Sequence, residues 1–204
     1  MTFSRASGRR RLAAMLAAAL MLPTAASAQF SDSYNFLKAV RDRDGAKVTE
    51  LLSQPSATII DTKDRATGEG VLHIVVKRRD ASWLSFLMGK GANPNARDND
   101  GNTPLMLAAQ VGFAEAVQLL LGRSASVDLA NSSGETPLIK AVQSRDLPTV
   151  RLLLGAGANP RRTDSVAGLS ARDYAERDGR SRAILKLIDE TKATPQREVA
   201  GPKL

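Results

Sequence analysis

The chain has 204 residues, 43% of them apolar and 25% charged, enough apolar material for a buried core in one domain or a short array. One histidine and no cysteine exclude disulfides, multi-histidine zinc centres and cysteine nucleophiles. The formal net charge of +8 is concentrated at the amino terminus: residues 1–28 hold 4 arginines and no acid, leaving 25 Lys+Arg against 21 Asp+Glu, or +4, in the remainder. Nucleic-acid binding is therefore not expected.

In chain order, the first predicted element is an export signal. Arg5, Arg9, Arg10 and Arg11 form a charged leader, Leu12 to Leu22 is an apolar run of 11 residues, and Ala26–Ala28 supply small residues for cleavage before Gln29. The run is too short to span a bilayer comfortably and has no polar face. Residues 1–28 thus read as a bacterial-type signal peptide, with a periplasmic or secreted product and membrane contact only during export. The arginine pairs leave the twin-arginine route open.

The remainder repeats with a period of 33. "DGNTPLMLAAQVGFAEAVQLLLGRSAS" (100–126) aligns without a gap on "SGETPLIKAVQSRDLPTVRLLLGAGAN" (133–159), sharing among others Gly101/Gly134, Thr103/Thr136, Pro104/Pro137, Leu105/Leu138 and Leu119–Gly122/Leu152–Gly155. One period earlier, "TGEGVLHIVVKRRDASWLSFLMGKGAN" (67–93) keeps Gly68, Leu72, Leu84, Leu87, Gly89 and Ala92 in register. A step of 34 brings in "AGLSARDYAERDGRSRAILKLID" (167–189), and "NFLKAVRDRDGAKVTELLSQ" (35–54) has the same helix–turn–helix spacing without the opening turn. A fixed period of this size is the mark of a stacked repeat architecture.

These motifs resemble the ankyrin repeat family: a turn with Asp and Gly, then T-P-L-H-x-A-A, then a second helix ending in L-L-x-x-G-A-N. Only His73 fills the motif's His place, which holds Met106 and Ile139 elsewhere; Gly70–Val71 and Ser170–Ala171 replace Thr-Pro. The resemblance implies an all-α solenoid of stacked helix-turn-helix units with short β-turn fingers and about five repeats including caps. The expected divisions are 29–64 (amino-terminal cap), 65–97, 98–130 and 131–163 (full repeats), 164–190 (carboxy-terminal cap) and 191–204 (disordered tail).

Local chemistry agrees with these starts and stops. Thr103 and Thr136 can cap a helix whose first position is proline, where the missing N–H costs nothing. Pro148 falls in the first turn of a second helix after an expected Asp146 cap. Gly122 and Gly155 are expected to end the second helices in a left-handed turn. Ser124, in register with Gly91 and Gly157, would be strained by about 1–2 kcal/mol if that position is left-handed.

Catalytic and metal motifs fail on inspection. In "DNDGN" (98–102), taking Gly101 as a calcium-loop glycine puts Ala96 and Leu107 at the first and last ligand places. "GKGANP" and "GAGANP" lack phosphate-loop or dinucleotide-loop spacing. Asp173, Glu176 and Glu115 read as solvated helix faces, and His73 as a packed, hydrogen-bonded residue. No enzyme activity, metal or cofactor is expected.

The resemblance implies a monomeric, non-catalytic module that binds another protein through finger tips and a concave groove. The finger-tip candidates are Ala66, Thr67, Glu69, Asn99, Asp100, Asn102, Ser132, Ser133 and Glu135. The groove candidates are Lys77, Arg78, Gln110, Val111, Gln143 and Ser144. An alternative is binding of an anionic ligand or surface through Lys77–Arg79 and the Arg172–Lys186 region.

Overall fold

A computed structural model describes residues 24–53 and 59–191. The expected signal lies outside these except for Thr24–Ala28, which open the first helix, and the expected tail lies outside them except for Thr191.

Among the described residues ten α-helices follow one another as five pairs: α1 (Thr24–Asp42) with α2 (Gly45–Leu52), α3 (Val71–Lys77) with α4 (Ala81–Gly89), α5 (Pro104–Gln110) with α6 (Ala114–Leu121), α7 (Pro137–Gln143) with α8 (Leu147–Gly155), and α9 (Ala171–Arg177) with α10 (Arg182–Glu190). Each pair packs on the next, so α1, α3, α5, α7 and α9 form one layer and α4, α6, α8 and α10 a second. This is the all-α solenoid that the family resemblance implies.

The first helices are short because both their ends are specified. Thr103 Oγ1 accepts from the Met106 amide at 3.2 Å, and Thr136 Oγ1 from Ile139 at 3.3 Å, with Pro104 and Pro137 in the first turn. Where Thr-Pro is missing, other groups do the same work. Ser170 and Asp173 cap reciprocally, the hydroxyl accepting from the Asp173 amide at 3.2 Å and the carboxylate from the Ser170 amide at 2.9 Å. Gly70 has no hydroxyl, and there His73 Nδ1 accepts the Gly70 N–H at 3.2 Å.

Packing on both sides buries Val71–Val76 and Pro104–Ala109 without interruption. The outer helices bury a single stripe, such as Ala116, Val117 and Leu120 on α6. Together these residues make one continuous core from Phe36 to Ile188.

One turn differs from expectation. Gly122 has φ −64° and Gly155 still lies inside α8; the left-handed position is two residues further on, at Gly91 (φ 94°), Ser124 (φ 63°) and Gly157 (φ 89°). The helices run through the first glycine and reverse at the second, so Ser124 carries the strain of a left-handed non-glycine residue. Asp146 occupies the cap position of α8 but makes no side-chain cap bond, unlike Asp44 and Asp80 in α2 and α4.

Candidate partner-binding surface

Each finger is built around a carboxylate or amide that folds the turn onto itself. Asp64 Oδ1 accepts from Ala66 and Thr67 N–H, Asp98 Oδ1 from Asp100 and Asn102, Asn131 Oδ1 from Ser133 and Glu135, and Asp164 Oδ1 from Val166 and Ala167. Asp98 is thus the organiser of a turn, and no cluster of three or more His, Asp or Glu with metal-site geometry occurs among the described residues.

Neighbouring fingers are laced by backbone bonds: Asn99 N to Thr67 O at 3.0 Å, Ser132 N to Asp100 O at 3.0 Å and Ser165 N to Ser133 O at 2.9 Å. The approach is so close that a Cβ on Gly134 (φ 74°) would lie 2.7 Å from Ser165 N. Glycine recurs there for conformation and for space.

This lacing occupies much of the expected finger-tip set. The Ala66 and Thr67 carbonyls accept from Asn99, Asn102 Nδ2 donates to Asp98, and Asn131 Nδ2 donates to both Asn102 and Glu135. The Ser133 carbonyl and Ser132 amide are ladder partners. The Asp100 side chain, by contrast, is exposed and makes no ion pair of 4.0 Å or less among the described residues.

The groove candidates sit at the carboxy-terminal ends of the first helices. Lys77, Gln110 and Gln143 are the last helical residues of α3, α5 and α7, and Arg78, Val111 and Ser144 follow them as caps. Fingers and helix ends face each other across this groove, since Lys77 pairs with Glu69 and Lys140 with Glu135. Burial opposes ionisation of Glu135, but Lys140, Asn131 and Gln143 hold its pKa below the usual carboxylate value.

Two of the candidates are structural. Arg78 Nη1 donates to the Val40 and Arg41 carbonyls at 3.0 and 2.7 Å, closing the end of α1, and Ser144 Oγ donates to Gln110 O at 2.7 Å. Val111 is 40% exposed. Val111, Gln110 and Gln143 present the open middle of the groove.

The basic stretches of the anionic-ligand alternative are only partly engaged within the chain. Arg79 donates to the Val111 and Gly112 carbonyls at 2.5 and 3.1 Å and lies over the Phe113 ring. Arg172 binds Asp189 and Glu176. The Arg172 charge is thus compensated, whereas Arg79 keeps its charge but is fixed in place, and Arg177 in the second stretch has no ion pair among the described residues.

Sequence reasoning missed a second row. In the left-handed turns between paired helices, Arg43 pairs with Asp80 at 3.1 Å and Arg145 with Asp178 at 2.5 Å, while Arg79 takes the carbonyls already described. Each arginine reaches from its own repeat to the next. At the third of these four turns stands Gly112, and Asp146, which it faces, has a buried Oδ2 with no hydrogen-bond partner among the described residues. The unequal spacing of the arginines and the gap at Gly112 hid this row. The groove-wall residues Arg41 and Lys140 were also not anticipated, because they fall in the cap repeat or one turn back along the helix, while Arg177 lies in the basic Arg172–Lys186 region of the alternative reading.

Stacked helix pairs joined by laced fingers define a helical repeat protein with an exposed groove between fingers and first helices. A family model described as ankyrin repeats (three copies) matches residues 36–129 and, overlapping, 72–164. The chain belongs to the ankyrin repeat family. It is similar to the oxysterol-binding protein homolog 1 of Saccharomyces cerevisiae, 37% identical over 79 residues, which cover 37% of this chain and 7% of that protein. It also resembles the nuclear factor NF-kappa-B p110 subunit of Drosophila melanogaster, 35% identical over 52 residues, or 26% of this chain and 5% of that one. The chain thus matches less than a tenth of either relative's length. Ankyrin repeats generally mediate protein–protein interaction, and proteins built of them are typically non-enzymatic.

Proposed function

We propose that this chain is a non-catalytic protein-binding module, exported to the periplasm by residues 1–28, that holds a segment of a partner protein in the groove between fingers and first helices. The observation that carries this reading is the open middle of that groove: Gln110, Val111 and Gln143 are exposed, Gln143 making a long 3.4 Å bond to Glu135, in an array whose polar groups are mostly bonded to each other.

Export and binding are tested separately. Residues 1–28 fused to a reporter active only in the periplasm should deliver it there, and a cytoplasmic reporter would remove the localisation. Crosslinking in that compartment, followed by mass spectrometry, should recover a protein with wild type but not with Val111→Asp plus Gln143→Glu. Equal recovery by both would remove the groove as the binding surface.

A further inference from the structure

Resting on that reading, we infer that the carboxy-terminal end of the groove is a subsite for an Asp or Glu side chain of the partner segment, held by Arg177. The argument begins from register. Glu69, Asn102, Glu135 and Leu169 occupy the same finger position, and Lys77, Gln110, Gln143 and Arg177 the same helix position opposite. Along the rest of this wall cations have finger carboxylates: Arg41 pairs with Asp64 at 2.7 Å, Lys77 with Glu69, and Lys140 with Glu135 at 2.5 Å. In the last repeat the finger supplies Leu169, which has no charge to offer.

The nearby acids are already engaged: Asp173, one turn before Arg177 and within reach of its field, accepts from the Ser170 amide and hydroxyl at 2.9 and 2.6 Å. Asp164 is buried and bound by its own turn amides and by the Tyr174 hydroxyl at 2.9 Å. Asp178 accepts from Arg145 at 2.5 Å and from Ser181 Oγ at 2.7 Å. Arg177 is exposed and has no carboxylate within 4.0 Å among the described residues.

Beside it lies a cleft of about 370 Å³, lined by Val142, Gln143, Arg145, Tyr174, Arg177 and Asp178. Val142 and the Tyr174 ring can cover the methylenes of an acidic side chain while Arg177, a planar fork of donors, takes its carboxylate. Val111 stands two helices away, about 16–20 Å at the usual helix spacing. A partner segment filling both places therefore carries an apolar residue and an acid about five or six residues apart if extended, or about 11–13 apart if helical.

Selection of random 16-residue displayed peptides on the purified chain tests this. Peptides that lose binding to Val111→Asp should carry an acid at one of these separations from an apolar residue. Their affinity should fall about tenfold with Arg177→Glu, the loss of one charge-assisted contact. Selection on Arg177→Glu should put Lys or Arg at the acid's place, with circular dichroism unchanged. Peptides that depend on Val111 but bind Arg177→Glu equally well overturn the subsite and leave the groove reading standing. A selection that yields no Val111-dependent peptide overturns both.

Discussion

His73 shows how one side chain can replace a motif and acquire a liability. It is wholly buried, accepts the Gly70 N–H on Nδ1 at 3.2 Å, and has Nε2 3.0 Å from the Asn102 carbonyl. With Nδ1 an acceptor, Nε2 carries the proton and donates it to the next repeat's finger. Burial pushes the His73 pKa down, against the pull of the Asn102 carbonyl and of the Asp98 and Glu69 carboxylates; Lys63 lowers it further. The folded pKa is thus below the unfolded value of about 6.5. The unfolded chain binds a proton first as pH falls, so stability is present above about pH 7 and declines below about 6.5, by up to about 1.4 kcal/mol per pH unit. Urea denaturation of wild type should show this decline between pH 7 and 5, above the range where carboxylates protonate. His73→Met, the residue type at the matching place of the next repeat, should flatten it; an unchanged slope would assign the titration to another group. At Ser124, replacing the left-handed serine with glycine relieves about 1–2 kcal/mol of strain and adds roughly 0.5–1 kcal/mol of unfolded-state freedom. A net gain of about 0.5 kcal/mol follows from that difference, readable as a higher urea midpoint.

At the scale of the element, the turns between paired helices behave as a ladder with one rung missing. Asp80 accepts the Trp83 amide at 3.2 Å and pairs with Arg43 at 3.1 Å, so Asp80→Ala removes a cap and an ion-pair partner and should cost about 1–2 kcal/mol. Asp146, at the same place in α8, has no cap bond and faces Gly112. Asp146→Ala should therefore cost well under half as much, and a larger loss would mean that Oδ2 is satisfied by water. Gly112→Arg would return the absent guanidinium at a φ of 61°, close to that of Arg43, Arg79 and Arg145. Its left-handed cost of about 1–2 kcal/mol masks the gain in a single variant. The informative quantity is its coupling to Asp146→Ala in a double-mutant cycle, expected at about 0.5–1 kcal/mol. The helix starts at Thr103 and Thr136 were legible because a cap is a local event between residues three apart. The ladder was not, because its partners lie 32 to 37 residues apart in sequence and one rung is glycine. The turn at Gly122 was misplaced for a related reason: local signals mark where a helix can stop, whereas packing of the outer helix decides where it does.

For the whole molecule, the period of 33 made the architecture readable before any coordinate, since each repeat must bury its faces on neighbours. What the period could not reveal is which surface residues are spent on the fold: Asn99, Asn102, Arg78 and Ser144 vary like contact residues, yet each is tied to an adjacent repeat. The same neighbour-only packing predicts unequal consequences for equal losses of core. Leu120, on α6, is fully buried between α4 and α8, whereas Ile188, 3% exposed on α10, is packed against the preceding repeat and α9. Leu120→Ala should cost about 2–5 kcal/mol and weaken both interfaces at the centre, so that the flanking halves lose their mutual support. Ile188→Ala has one interface to loosen and should fray the last pair alone. Amide hydrogen exchange separates these outcomes: Ile188→Ala should accelerate exchange in α9 and α10 while α3 to α6 keep their protection, and Leu120→Ala should accelerate it from α3 through α8. Uniform acceleration along the chain in both variants would show instead that the five pairs unfold as a single cooperative unit, with the stabilities of the repeats too strongly coupled to be told apart.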